Sequence, residues 1–246
     1  MLSKGVLLTT YDIVGLECGV CYKFRVRAGA GGIYEGHGKS IEVTPIGAVE
    51  GLVVEEIKSD SVTIAWRPPK GADLFTIEAK RCDEEKYEII EYGIDQRRYR
   101  FTGLVCGDEL CVHVLAGSLQ GYESYGSSVY IRAIDRPSNL QFEKRGSSCV
   151  YVTWDNCAGS SEYIVEVRCA NEVDYRVLSR NVIPLEGRCG FLIHELSASE
   201  LYVARVTPGY GGVFSTDGTP CHFLVANDDL HTETNWMHSV NDSACR

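Results

Sequence analysis

The residues best suited to chemistry in this chain are its eleven cysteines and six histidines. Cys18 and Cys21 have the spacing of a zinc or redox pair. A structural zinc site would use a second such pair nearby, and a redox pair would place its first cysteine at the N-terminus of a helix. The sequence has no second pair of this spacing, and Cys18 lies in a predicted turn between strands. We therefore predict neither a metal site nor a cofactor.

The remaining polar residues do not combine into a catalytic set. The histidines are scattered along the sequence, at His37, His113, His194, His222, His231 and His238. Acidic clusters such as Glu55-Glu56 fall at strand ends or turns, where solvated loop charge is the usual explanation. The chain contains no nucleophile elbow, phosphate-binding loop or dinucleotide fingerprint. These observations predict that the chain is not an enzyme.

Charge and hydropathy exclude two further classes of partner. The formal net charge is −10 and the sequence pI is about 5.1, whereas nucleic-acid binding needs clustered lysine and arginine. No run of the sequence approaches the roughly 18 apolar residues that span a bilayer. We expect no nucleic-acid partner and no membrane insertion in this segment.

An internal repeat organises the chain around a leucine landmark. Leu16, Leu104 and Leu196 are 88 and 92 residues apart. Other residues recur at fixed distances from the landmark leucines. Six residues after each leucine comes a tyrosine or leucine, and sixteen residues after that position comes a glycine. In two of the repeats a leucine also precedes a tryptophan by fourteen residues. These positions are Tyr22, Leu110 and Tyr202; Gly38, Gly126 and Gly218; Leu52 with Trp66; and Leu140 with Trp154.

The segments between the landmarks alternate with the period of a β-strand. Val62, Ile64 and Trp66 share one face of a predicted strand, as do Val150, Val152 and Trp154. Similar alternation occurs at Tyr11 and Ile13, just before the first landmark leucine. No segment has helical spacing over eleven or more residues. Several short strands in each repeat of about 90 residues predict an all-β protein of tandem antiparallel β-sandwiches.

These landmarks resemble the fibronectin type III family, which is immunoglobulin-like in fold. The resemblance rests on a strand ending in Trp66 before Arg67-Pro68-Pro69, and on a leucine six residues before a tyrosine, as in the family's tyrosine corner. It covers roughly residues 3–226. Leu110 departs from it, as does Asp155-Asn156-Cys157 in place of Arg67-Pro68-Pro69. The structural core it implies comprises Trp66, Trp154, Leu16, Leu104, Leu196, Tyr22 and Tyr202.

The resemblance also implies module boundaries. We expect a partial module at 1–45 with strands E to G only, complete modules at 46–134 and 135–226, and a polar tail or linker at 227–246. Three strands cannot cover both faces of a core. A fragment of a longer array, or a mis-assigned start, is the preferred explanation for the partial module, and strand complementation by a partner is the alternative.

Two sets of site residues follow from the same fold. Strands B and E are antiparallel neighbours, as are C and F, which makes Cys157–Cys189 and Cys82–Cys111 plausible disulfides. The F–G hairpins of this family often present contacts, and tyrosine gives a large contact area at little entropic cost. The candidate binding-loop residues are Tyr122, Tyr125, Tyr34, Tyr210 and Phe214.

The resulting functional hypothesis is a non-enzymatic binding or spacer segment of a multi-module protein, of adhesion or receptor type. Its partners would be proteins, including further modules of the same longer chain, in an extracellular or cell-surface location. An intracellular cytoskeletal or ciliary scaffold is an alternative, with a cytoplasmic location. An accessory module of a carbohydrate-processing enzyme is a third, because fold alone does not establish function.

Overall fold

A computed structural model of the chain describes residues 5–123, 125–184 and 187–225. Every regular element within these ranges is a β-strand, as the alternating sequence pattern predicts. No helix of the described residues is long and apolar enough to cross a membrane. The predicted tail, with His231 and His238, lies outside these ranges.

The strands follow the three sequence repeats. In the first repeat they are β1 (Tyr22–Val26), β2 (Gly29–Ala30), β3 (Ile33–Tyr34) and β4 (Lys39–Val43). In the second they are β5 (Glu50–Ile57), β6 (Ser61–Arg67), β7 (Leu74–Arg81), β8 (Glu88–Ile94), β9 (Arg98–Thr102), β10 (Glu109–Ser118), β11 (Gly121–Tyr122) and β12 (Ser127–Arg132). In the third they are β13 (Gln141–Lys144), β14 (Val150–Asp155), β15 (Glu162–Cys169), β16 (Arg176–Val182), β17 (Arg188–Ile193), β18 (Leu201–Tyr210), β19 (Val213–Phe214) and β20 (Thr219–Leu224).

The second and third repeats have the same pairing order. One sheet consists of three strands, β5-β6-β9 in the second repeat and β13-β14-β17 in the third. The other places the long strand, β10 or β18, between β7 and β12 or between β15 and β20. Strands β8 and β16 form the outer edges beside β7 and β15. In the usual strand lettering of β-sandwiches, the second and third repeats each have an A-B-E sheet and a G-F-C-C′ sheet.

The core of the third repeat lies between its two sheets. The inward residues of β14 are Val150, Val152 and Trp154, which are buried, and each contributes about 1.5–3 kcal/mol or more by leaving water. The Trp154 ring packs edge-on against Tyr163, with centroids 5.3 Å apart. This inward alternation on facing strands is what fixes the register of the sheets.

In the second repeat Trp66 takes the corresponding position. Its side chain is buried, and its ring packs against Phe75 with centroids 5.4 Å apart. The contact resembles the Trp154–Tyr163 pair, because Phe75 and Tyr163 occupy equivalent positions on β7 and β15.

The first repeat differs from the sequence expectation. Its sheet contains β1 and β4 alone, and residues 9–21 form no strand, although alternation at Tyr11 and Ile13 predicted one. That segment would be strand E, which in the other repeats pairs with strand B. The described residues of the first repeat contain no strand B, so the segment has no partner strand and stays irregular.

The chain divides into two compact units, and the division passes through the strands of the second repeat. The described residues of one unit lie within 5–53, 65–98 and 111–129. Those of the other lie within 54–64, 99–110 and 130–225. The first unit holds the first repeat and the β7–β8 ribbon, and the second holds the whole third repeat.

Candidate binding surfaces

The landmark tyrosines tie down the chain ahead of strand F. The Tyr22 hydroxyl accepts a hydrogen bond from the Glu17 backbone N–H at 3.0 Å. The Tyr202 hydroxyl accepts one from the Ser197 N–H at 2.9 Å. In both cases the donor directly follows the landmark leucine. Leu110 has no hydroxyl, so the second repeat lacks this bond.

The predicted core residues are buried to different degrees. Trp66, Trp154 and Leu196 are 4%, 0% and 3% exposed, whereas Leu16, Leu104, Tyr22 and Tyr202 are half-buried. Both tyrosines are half-buried because the ring packs against aromatic neighbours while the hydroxyl reaches the backbone. In the third repeat, Tyr202 stacks on Phe223 with ring centroids 5.7 Å apart.

Three of the candidate loop aromatics cover a glycine of the preceding strand. Tyr34, Tyr122 and Phe214 each lie beside a glycine five residues earlier: Gly29, Gly117 and Gly209. A methyl group on Gly29 or Gly209 would lie 2.6 or 2.5 Å from the ring, and one on Gly117 would overlap the Tyr122 ring outright. These aromatics pack against their own hairpin, so the glycine is required for a close approach.

Tyr210 also packs inward. Its ring lies under the Arg132 guanidinium at 4.0 Å, and its hydroxyl donates to Glu109 at 3.3 Å. Arg132 and Glu109 also pair with each other at 3.4 Å. Tyr210 therefore joins the third repeat to strands β10 and β12 of the second.

The second-repeat F–G loop presents apolar groups to solvent. Tyr125 is 84% exposed and Leu119 is 92% exposed. Tyr122, between them in sequence, is half-buried and packs against Tyr92 with ring centroids 5.2 Å apart. Among the five candidate loop aromatics, Tyr125 has the side chain that is most available for contact. Sequence reasoning missed Leu119, since a single leucine in a loop gives no periodic signal.

The structure forms neither predicted disulfide. No two sulfur atoms of the described cysteines lie close enough for a bond. The sheet register pairs Cys189 with Trp154, three positions before Cys157. Cys111 is buried, with its sulfur 3.0 Å from the Tyr87 hydroxyl, while Cys82 lies exposed beyond the end of β7. The fold placed the cysteines of each pair near neighbouring strands. It did not give the register, which decides whether the two sulfur atoms meet.

The tyrosine beside Cys157 organises a buried polar cluster. The Tyr163 hydroxyl accepts hydrogen bonds from the Cys157 N–H at 2.8 Å and the Ser160 hydroxyl at 2.7 Å, and donates to Asn156 at 2.7 Å. Burial raises the pKa of the Cys157 thiol to about 12 and also raises the pKa of the Tyr163 hydroxyl. Both groups are therefore protonated and structural at neutral pH.

The described ranges include both cysteines of the predicted turn, Cys18 and Cys21. No three histidine, cysteine, aspartate or glutamate residues there come together in a group able to hold an ion. Cys18 is half-buried and Cys21 is exposed, at a turn ahead of β1. The backbone N–H between them, that of Gly19, donates to the Pro45 carbonyl at 2.9 Å. This turn joins the first repeat to the segment that leads into the second.

Comparison with known proteins gives relatives that include two tenascins. No family model matches the chain. Chicken (Gallus gallus) tenascin is 24% identical over 179 residues, covering 71% of this chain, and mouse (Mus musculus) tenascin-N is 28% identical over 130 residues, covering 52%. The chain spans 10% and 8% of the lengths of these relatives.

Similar solved structures include a two fibronectin type III domain segment of chicken tenascin and the FN1–FN3 domains of chicken CNTN1. Each is 15% identical to this chain. The first covers 72% of this chain and 98% of its own, with a TM-score of 0.38. The second covers 85% and 79%, with a TM-score of 0.45.

The module type follows from sequence similarity, strand order and corner together. The second and third repeats share the A-B-E and G-F-C-C′ sheets, and Tyr22 and Tyr202 make the corner bond expected of the landmark spacing. The fold is that of tandem fibronectin type III-like β-sandwich modules. Strand F of each fibronectin type III-like module carries the tyrosine-corner position near its start. The F–G hairpin that follows carries an aromatic residue that covers a glycine. Both features therefore recur with the repeat.

Proposed function

We propose that the chain is a non-enzymatic binding and spacer segment of a multi-module protein, which binds other proteins in an adhesion or receptor role. We assign the modules to 1–45, 46–134 and 135–226, with the first one partial. The proposed location is extracellular or at the cell surface. Similarity to tenascin over 71% of the chain supports the proposal.

The observation that carries the proposal is the exposed apolar loop of the second module. Leu119 and Tyr125 are 92% and 84% exposed, and they flank the short strand β11. Large apolar side chains gathered on one loop mark contact sites, whereas scattered single ones do not. Tyrosine at such a place gives contact area with few rotatable bonds.

A binding assay on cells tests this role with variants of the full chain. Labelled protein is added to intact cultured cells and its retention is measured by flow cytometry. Replacing both Leu119 and Tyr125 by serine is expected to lower retention at least about tenfold, which is the size of a lost apolar anchor at an interface.

The matched control replaces Val173 by serine. Val173 is 88% exposed in the third module, in the segment between β15 and β16, so its variant removes one exposed apolar side chain elsewhere. Its retention should equal that of the original chain. Equal retention of all three proteins, or no retention of any, would contradict the proposal.

An intracellular scaffold remains a second candidate, because ten cysteines of the described residues form no disulfide in the structure. Disulfides persist in oxidising compartments and are rare in the cytosol. The same assay on permeabilised cells separates the two. Retention on intact cells favours the adhesion role, and retention that requires permeabilisation favours the scaffold.

A further inference from the structure

Strands β8 and β16 form the open C′ edges of the second and third modules. Within the described residues each pairs on one side only, β8 with β7 and β16 with β15. Both strands lie in repeats that have both of their sheets. An open edge presents backbone N–H and C=O groups that are able to pair with a strand of another molecule.

The two edges have the same length and the same register against their neighbours. Each strand has seven residues. Ala79 of β7 lies opposite Glu88, and Val167, the equivalent residue of β15, lies opposite Arg176. Both ribbons also shift register twice, at corresponding places. One edge therefore has the length and the irregularities needed to lie along the other.

The side chains of the two edges carry opposite charge. Strand β8 has Glu88 and Glu91 and no basic residue, whereas β16 has Arg176 and Arg180 and no acidic residue. All four are exposed. Among them, within the described residues, Arg176 alone has an ion pair, an exposed one with Glu195 at 3.5 Å. Like charge keeps two β8 edges or two β16 edges apart, but opposite charge favours β8 against β16.

Exposed apolar side chains accompany these charges. Ile89 and Tyr92 of β8 are 62% and 65% exposed, and Val177 of β16 is 37% exposed. Ile89 and Val177 lie on the same face of their sheets, since they are opposite the equivalent residues Glu78 and Glu166 of strand C. Pairing of the two edges would bring these apolar groups together on one face.

The residues that flank the edges favour one direction of pairing. Exposed Arg97 follows β8 and exposed Glu85 precedes it, while exposed Asp174 precedes β16. Antiparallel pairing brings Arg97 towards Asp174. Parallel pairing would instead bring Glu85 towards Asp174, which places like charges together.

We propose that β8 of one copy of this chain pairs antiparallel with β16 of a second copy. Backbone hydrogen bonds join the two sheets, and the glutamates of β8 against the arginines of β16 select this pairing over the others. Because each copy carries one edge of each kind, the contact is heterologous and is able to continue from copy to copy. This self-association goes beyond the proposed binding of other proteins.

Sedimentation velocity of the full chain over a range of concentrations tests the pairing. The average mass is expected to rise with concentration. Glu88→Arg with Glu91→Arg makes both edges basic, and Arg176→Glu with Arg180→Glu makes both acidic, so each variant alone should associate at least about tenfold more weakly. An equimolar mixture of the two variants restores opposite charges at each contact and should associate as the original chain does.

The matched control is Glu50→Arg with Glu143→Arg, which inverts two exposed glutamates on β5 and β13, the edge strands of the other sheets. It should associate like the original chain. The inference is overturned if the original chain stays monomeric at every concentration, if either edge variant associates as the original does, or if the mixture of the two does not recover association. The cell-retention assay is independent of these results, because Leu119 and Tyr125 lie on neither edge strand.

Discussion

At the scale of single residues, one hydrogen bond fixes each tyrosine corner. The Tyr202 hydroxyl accepts from the Ser197 N–H at 2.9 Å, and Tyr202→Phe removes only that acceptor. We expect the free energy of unfolding of the third module to fall by about 1 kcal/mol, the usual net value of such a bond. Urea unfolding followed by tryptophan fluorescence measures the change.

The control is Tyr125→Phe, at an 84% exposed position, which should leave the unfolding midpoint unchanged. An equal midpoint for the two variants would contradict the role of the corner bond.

Residue identities were predictable from sequence where the repeat fixes them. The spacing of six between leucine and tyrosine indicated Tyr22 and Tyr202 and showed that Leu110 would lack the bond. The role of the Tyr163 hydroxyl was not predictable, because it depends on how Asn156 and Cys157 fold back over β15. Cysteine pairing failed for a similar reason, since strand adjacency does not give the register that sets sulfur distances.

At the scale of elements, the F–G hairpins depend on glycines that make room for aromatic rings. Gly117→Ala would place a methyl group in the Tyr122 ring. We expect a loss of about 1–3 kcal/mol, the usual cost of overpacking, which thermal unfolding would report as a lower midpoint.

The control for this substitution is Gly36→Ala. A methyl group at Gly36 meets nothing within contact distance and needs no left-handed backbone, so stability should stay unchanged or rise slightly through the smaller entropy of the unfolded chain. A lower midpoint at Gly36 equal to that at Gly117 would show that the aromatic cover is not the cause.

Element prediction succeeded where a strand had a partner. The alternation of Val62, Ile64 and Trp66 corresponds to the buried face of β6, as that of Val150, Val152 and Trp154 does for β14. The same period at Tyr11 and Ile13 produced no strand. Alternation records which side chains would share a face, but a strand forms only when its backbone groups are paired.

At the scale of the whole molecule, the repeat period predicted two complete sandwiches and one partial one. The strand count of the partial module implied an uncovered apolar face, and Val26 and Ile41 are 78% and 63% exposed. The described residues thus hold two repeats with both sheets and a first repeat whose strand β1 pairs with β4 alone.

Hydrogen exchange of the full chain, read strand by strand by mass spectrometry, tests this claim most directly. Amides of β14, β15 and β18 pair within a closed core and should open only with global unfolding. Those of β1 and β4 should exchange on the order of a hundredfold faster, because local opening of an uncovered two-stranded sheet costs little. Equal protection of β1 and β18 would contradict the account, since it would mean that the first module is already closed.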